Sequence, residues 1–348
     1  MTQQEVASAA NVSQTLVSLV LNGDGNEASK EVRERILQAV RNLSYTPLRR
    51  RTKRSQNKLF AFIRPLVVRG HHSEGWIYDS LDQFYLDRQE QLRLVLKKAG
   101  YDLVSFDDAE IEVTKQWLER WDLAGVFLNT RHSELIDWIR ERYPAVEMSR
   151  SKNRHVDCVT SDDFERVAIA FDCLYHNGHR RIAYLRGSPQ EEKSKLYCTA
   201  YELCCESHGI PCEFVDVGTF EPGVGEWAQR QARQKDFPSG VIGSPIYLLI
   251  LQKHLMRLGI RVPEDISLAS IDNISACRFL EPSLVSIDLN FTTIAETALR
   301  TLLARIESPG RARCKIEILP ALVPGGSVGQ APQIKRRMPT ERKGQSIV

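Results

Sequence analysis

The sequence predicts two folded units in one chain. A small all-α unit at residues 1–46 is joined by a basic linker at 47–58 to a larger α/β body at 59–327, built as two doubly wound parallel sheets. Three observations lead there. A chain of 348 residues is longer than one hydrophobic core usually spans. The first 43 residues carry three short helical patterns around a few small apolar side chains. From Leu59 onward, short apolar runs alternate with amphipathic ones, the pattern of parallel strands covered by helices on both faces. The composition, 42% hydrophobic and 26% charged, excludes disordered and collagen-like chains. The longest apolar stretches, such as Val241 to Leu251, are broken by Gly243 and Pro245 and are too short to span a bilayer, so no membrane partner is expected. Met1-Thr2-Gln3-Gln4-Glu5 lacks the basic and apolar regions of an export signal, and a cytoplasmic location is expected.

The elements follow in order from their residues. Thr2 and Glu5 make a T-x-x-E box that opens a helix through Ala10, the hydroxyl and the carboxylate each satisfying an orphan amide. Asn11 tolerates a left-handed turn, and Ser13 caps a second helix that runs through Leu21 and ends at Asn22-Gly23. Val6, Ala10, Val12, Val17, Val20 and Leu21 are spaced to share an inward face, which leaves Gln14, Thr15, Ser18 and Leu19 outside. Ser29 caps a third helix, whose Val32, Ile36, Val40 and Leu43 close the small core.

In the body, strands are expected at Leu59–Ile63, Tyr101–Phe106, Gly125–Leu128, Val156–Thr160, Arg181–Leu185, Glu213–Val217, Gly240–Ile242 and Ser267–Ile271. Helices are expected at Leu81–Ala99, Val113–Trp121, Glu134–Tyr143, Phe164–His176, Leu196–Ser207, Gly225–Lys235 and Tyr247–Leu258. A break near Ser149–His155 divides the region into halves, and a ligand is then expected where strand ends converge between them.

Charge is concentrated at the ends. Residues 1–58 hold ten Lys/Arg against five Asp/Glu, residues 59–332 hold 32 against 38, and residues 333–348 hold five against one. Seven Lys/Arg and no acid lie between Arg41 and Lys58, a stretch that attracts polyanions by counterion release. The last segment, 328–348, is expected to be a disordered tail. Eight cysteines without a CxxC pair read as small buried side chains, the adjacent Cys204 and Cys205 pointing to different sides of their helix, and no metal site or cofactor is expected.

Enzyme motifs fail on context. Gly325-Gly326-Ser327-Val328-Gly329 imitates a nucleophile elbow, but the last histidine, His254, precedes it, and that chemistry needs a later one. Gly223-Val224-Gly225-Glu226-Trp227-Ala228 imitates a dinucleotide fingerprint, yet Pro222 and a spacer separate it from its strand. His71-His72 has no Glu or His at helical spacing.

The N-terminal pattern resembles the helix-turn-helix headpiece of the LacI/GalR (lactose-repressor) family. The likeness is carried by Glu5-Val6-Ala7, Ala10-Asn11-Val12-Ser13, Val17-Ser18, Val20-Leu21-Asn22-Gly23, Arg33-Glu34-Arg35-Ile36 and Tyr45-Thr46-Pro47. It continues through Asn177-Gly178-His179-Arg180-Arg181-Ile182-Ala183, Val262-Pro263-Glu264-Asp265-Ile266-Ser267 and Ile271-Asp272-Asn273. The resemblance implies a bilobed periplasmic-binding-protein-like body. Lobe one would comprise about 59–155 plus 287–310 and lobe two about 156–286 plus 311–327, with a crossing near Ser286–Leu289 and a returning helix at Thr292–Ile306.

It implies a DNA-binding transcriptional regulator, a repressor, acting as a homodimer on a near-palindromic operator in double-stranded DNA and controlled by a small-molecule effector between the lobes. Effector binding would shift lobe closure and with it the spacing of the two basic linkers. Gln14 and Thr15 are the expected base readers, at the positive end of the second helix. Leu19 stands where the family commonly has arginine and would touch a thymine methyl. Thr2, Ser13, Ser18 and Asn22 complete the expected contacts, and Arg49, Arg50 and Arg51 are expected to enter a narrow minor groove in place of the family's leucine wedge.

For the effector, Asp272 matches the family carboxylate that accepts hydroxyls or amines. Tyr197 falls where an arginine is often found, and Ser244-Pro245 replaces the usual Asn-Asp. His71, His72, Trp76 and Tyr78, in a loop after the first strand, are candidates to stack on and hydrogen-bond a sugar-like ring. The alternative is a solute-binding receptor with the same body and no DNA function, against which the basic N-terminal unit argues.

Overall fold

The computed structural model describes residues 3–21, 28–43, 58–65, 75–130, 132–149, 155–187, 192–217, 220–234 and 237–332. The chain forms two compact units, 1–56 and 57–348.

The first unit holds α1 (Gln3–Ala10), α2 (Gln14–Leu21) and α3 (Lys30–Asn42). Its core is Val6, Ala7, Ala10, Val17, Val20, Ile36 and Ala39, with Val12, Leu16, Leu21, Val32, Val40 and Leu43 packed around them, as the spacing predicted. Asn11 takes the left-handed conformation, φ 51°, which lets the chain reverse between α1 and α2. The caps also match. The Leu16 amide donates to Ser13 Oγ at 3.2 Å, and the Val32 amide donates to Ser29 Oγ at 3.3 Å.

The second unit contains two parallel sheets. The first is ordered β11-β5-β4-β3-β1-β2, from β1 (Leu59–Arg64), β2 (Asp102–Asp107), β3 (Gly125–Leu128), β4 (Ala145–Glu147), β5 (Asp157–Ser161) and β11 (Lys315–Ile318). The second is ordered β7-β6-β8-β9, from β6 (Ile182–Arg186), β7 (Glu213–Asp216), β8 (Gly240–Gly243) and β9 (Ser267–Ser270). Side chains alternate across each strand. Phe60 and Phe62 of β1 join the core under α4 (Gly75–Lys98) and α11 (Phe291–Glu307). Ala61 and Ile63 join the opposite core with α5 (Ile111–Arg120) and α6 (Ser133–Arg142). In the second sheet, Ala183 and Leu185 face α9 (Phe220–Ala232) and α10 (Pro245–Arg257), while Ile182 and Tyr184 face α7 (Asp163–His176) and α8 (Glu192–His208). Each fully buried Phe or Leu contributes about 1.5–3 kcal/mol, so four such cores anchor the helices on both faces.

The strand pairing moves two segments across the expected lobe boundary. β5 is hydrogen-bonded between β4 and β11 in the first sheet, although its residues were placed in lobe two. β11, also placed in lobe two, extends that same sheet. The chain therefore leaves lobe one at Asp162, which caps α7 by accepting from the Phe164 and Glu165 amides at 2.9 and 3.1 Å. It returns after β10 (Ser286–Asp288) and crosses again before β12 (Ala321–Val323), the two pairing antiparallel. The crossings are laced together: the Asp162 amide donates to Ile318 O at 3.0 Å, and Asn290 Nδ2 donates to Leu319 O at 2.7 Å.

Three further expectations change. The presumed tail begins later, because Gly329 N donates to Ser267 Oγ at 3.1 Å and Ala331 N donates to Asn177 O at 2.8 Å; residues 328–332 belong to the body. α4 starts at Gly75, so Trp76 and Tyr78 are helical rather than part of a loop. α9 starts at Phe220, not Gly225, because a proline near a helix start forfeits only an amide that has no partner there. Cys204 and Cys205 are both buried in one core cluster, as expected of small side chains. Ser327, centre of the elbow-like motif, is wholly buried. It donates to Leu268 O at 2.6 Å and accepts from the Val285 amide at 2.8 Å, pinning the C-terminal segment to β9.

Candidate nucleic-acid interface and interlobe cleft

α2 sits on a rigid platform. Arg35 of α3 donates to Ala10 O at 2.8 Å and to Asn11 O at 3.3 Å, holding the turn that aims α2. At the first turn of α2, Ser13, Gln14 and Thr15 are exposed, while Ser18 and Leu19 are half-buried on the flank. The helix thus offers free amides, a positive dipole end and short hydrogen-bonding side chains in one place. Thr2, Asn22, Arg49, Arg50 and Arg51 lie outside the described residues.

In the body, the turn after β9 delivers Asp272 to the cleft. Ser270 Oγ donates to Asp272 O at 2.7 Å, which folds the chain back. The carboxylate is already engaged: Arg166 of α7 donates to Asp272 Oδ1 at 2.8 Å. The same guanidinium pairs with Asp163 Oδ1 and lies 4.9 Å over the Tyr197 ring. Burial works against the Arg166 charge, but Asp272 and Asp163 outweigh it and hold its pKa above the ordinary range. Burial pushes the Tyr197 phenol well up, so it stays neutral. Ser244 sits at the N-cap of α10 with no side-chain cap bond. Beside it, the Tyr247 hydroxyl lies too close to where a Cβ on Gly187 would stand for both to fit, so a larger residue after β6 would displace that ring. His71 and His72 lie outside the described residues, as do the side chains of Trp76 and Tyr78.

From lobe one, α4 contributes a cation that sequence reasoning passed over. The Arg88 guanidinium lies 3.6 Å from the Phe84 ring centroid and 5.3 Å from that of Phe291. Burial lowers its pKa to about 10 despite the pull of Asp272 across the cleft, and Arg166 adds to the lowering. One helix residue before it, Asp87 accepts from Ser275 Oγ of lobe two at 3.2 Å, so this turn of α4 is where the lobes meet. Arg88 and Arg166 escaped notice because charged residues on amphipathic helices read as solvated faces.

A helix-turn-helix reader in one unit and a bilobed α/β body in the other define a class, DNA-binding regulators with a ligand-type cleft. Residues 2–47 match the family described as bacterial regulatory proteins, lacI family, and residues 171–328 match the periplasmic binding protein-like domain. The HTH-type transcriptional repressor PurR of Klebsiella pneumoniae is 28% identical over 97% of this chain and 99% of its own. PurR of Pasteurella multocida is 28% identical over 92% and 97%. Among solved structures, a LacI transcriptional regulator from a Rhodococcus species aligns with TM-score 0.65 at 22% identity, covering 79% of this chain and all of that one. The regulator CelR in complex with cellobiose aligns with TM-score 0.62 at 21% identity, covering 94% and 99%. The chain carries a lacI-family DNA-binding headpiece and a periplasmic-binding-protein-like body and is a DNA-binding transcriptional regulator. Among the described residues no helix is long and apolar enough to cross a membrane.

Proposed function

We propose that the protein is a repressor that binds a near-palindromic operator in double-stranded DNA as a homodimer in the cytoplasm, with a small molecule between the lobes tuning its affinity. The observation that carries this is the exposed pair Gln14 and Thr15 at the capped N-terminus of α2, aimed by Arg35. The PurR relatives support the repressor reading. The neighbours holding cellobiose and ribose support a ligand in the cleft, where Asp272 and Tyr197 are the described candidates to meet it. Homodimerisation matches two headpieces to two half-sites.

Gel-shift titration across salt tests the proposal. Operator affinity is expected to fall steeply with salt, as counterion release requires. Replacing Gln14 and Thr15 together with alanine is expected to reduce preference for the palindrome roughly tenfold to a hundredfold while leaving weak nonspecific binding, since each base contact is worth about 1–3 kcal/mol. Unchanged preference would overturn the assignment. Replacing Arg49, Arg50 and Arg51 with alanine is expected to lower affinity and flatten the salt slope.

A further inference from the structure

The cleft pairs an acceptor with a donor that no bond among the described residues brings together. Of Asp272's two carboxylate oxygens, Oδ1 is bound by Arg166, and among the described residues no donor reaches Oδ2. Facing it from lobe one, the Arg88 guanidinium rests on the Phe84 ring, and among the described residues no acceptor takes a hydrogen bond from it. The two feel each other's charge yet form no ion pair. Arg166 cannot make up the difference, because its amino groups are held by Asp163 and Asp272. A guanidinium on an aromatic face that meets no acceptor among the described residues offers a fork for two oxygens.

We propose that the effector is a small hydroxylated carboxylate of the sugar-acid class, its carboxylate on Arg88 and a hydroxyl donating to Asp272 Oδ2. This rests on the reading of the interlobe cleft as the effector site. Charge selects the class. Asp163 and Asp272 both pair with Arg166, so among the described residues Arg88 has no carboxylate of its own and a monoanion can pair with it, leaving one net negative charge on the cluster. A phosphate dianion would double that excess beside Asp272. An ammonium group at Asp272 would stand beside two guanidinium groups, whereas a hydroxyl donates without adding charge. A ligand held by lobe one through Arg88 and by lobe two through Asp272 also spans the line of closure marked by Ser275 and Asp87, so its binding favours the closed arrangement.

Calorimetric titration of the full-length protein tests this with gluconate, glucuronate and galacturonate, the neutral sugars glucose and galactose, and glucose 6-phosphate. The expected result is that at least one sugar acid binds tenfold or more tightly than its neutral counterpart and than the phosphate. Arg88→Met is expected to weaken that binding tenfold to a hundredfold and erase the preference for the acid, as loss of a charge-assisted hydrogen bond predicts. Arg88→Lys, which keeps the charge and loses the fork, should fall between. Arg93→Gln, on the exposed side of the same helix and paired with Glu90, should bind as the wild type does.

Tighter binding of a neutral sugar or of the phosphate would overturn the sugar-acid assignment. If that binding were still weakened by Asp272→Asn, the cleft would stand as the effector site. Binding of a sugar acid that ignores Arg88→Met would overturn the role of Arg88. Failure of every compound would overturn the proposed class.

Discussion

Arg305 in lobe one and Arg166 in lobe two each hold a buried aspartate, and they differ in what remains unsatisfied. Arg305 grips Asp157 with two bonds, Nε at 2.9 Å and Nη2 at 3.0 Å. Its other donors reach Pro309 O, Arg311 O and Ala312 O, and Asp157 also accepts from the Cys314 amide at 2.9 Å. Arg166 spends one nitrogen on Asp163 and one on Asp272, and its buried Nε meets no acceptor among the described residues. The first cluster is closed and fastens α11 to β5. The second leaves Arg166 Nε and, among the described residues, Asp272 Oδ2 without partners, an arrangement that suits the proposed ligand site better than a structural pin.

The largest effect is expected at the closed cluster. Asp157→Asn should cost the body about 3–5 kcal/mol, because it strands the Arg305 charge among groups built for an ion pair; urea unfolding measures it. The pH dependence sharpens the point. Burial alone would raise the Asp157 pKa, but the hydrogen bonds from Arg305 and Cys314 prevail and lower it. A carboxyl depressed in the folded state contributes stability that is present above its unfolded pKa of about 3.9 and is lost as pH falls through the lower folded value. The wild type should therefore lose stability on acidification below about pH 4, and Asp157→Asn should lose less over that window. An equal acid response in the two proteins would mean that Asp157 is not the titrating pin.

How much of this was legible beforehand follows the same division. The headpiece was readable nearly residue by residue, since Val6, Val17 and Ile36 lie on one period and Ser13 and Ser29 announce their helices. Asp272 was picked out by its match to a family position at the end of an apolar strand, and it does follow β9. Arg166 and Arg88 were not, because they reach the cleft only once β5 joins the first sheet, α7 the second, and α4 lies across from both. No local pattern encodes that meeting. β4, β10 and β12 have three residues each, too few for alternation to register. The expected boundary near 149–155 failed for a related reason: a strand's own residues do not say which sheet it will join.

A third arginine tests whether charge or geometry matters more. Among the described residues Arg35 binds neutral carbonyls alone, Ala10 O and Asn11 O, on an exposed side chain. Arg35→Met should cost the headpiece about 1 kcal/mol, the net worth of an ordinary exposed hydrogen bond, and leave the body's unfolding midpoint unmoved because the contact is internal to the first unit. Operator affinity should fall more than that stability change accounts for, since the turn that aims Gln14 and Thr15 is loosened. If Arg35→Met destabilised the headpiece as severely as Asp157→Asn does the body, the distinction between carbonyl-bound and carboxylate-bound arginines would fail.

The smallest stability change is expected at the open cluster, for the same substitution that is costly at Asp157. The Asp272 side chain keeps 18% exposure, its Oδ2 is not bonded among the described residues, and Arg166 retains Asp163 when Asp272 becomes neutral. An amide oxygen at position 272 still accepts from Arg166. Asp272→Asn should therefore cost about 1 kcal/mol or less. Its effect should appear instead in ligand affinity, because the amide offers a donor where the carboxylate offered an acceptor, and a ligand hydroxyl loses its charged partner. Unfolding and calorimetry on the same sample separate the two. A loss of 3 kcal/mol or more in stability would place Asp272 with Asp157 as a structural pin and remove the contrast between the clusters.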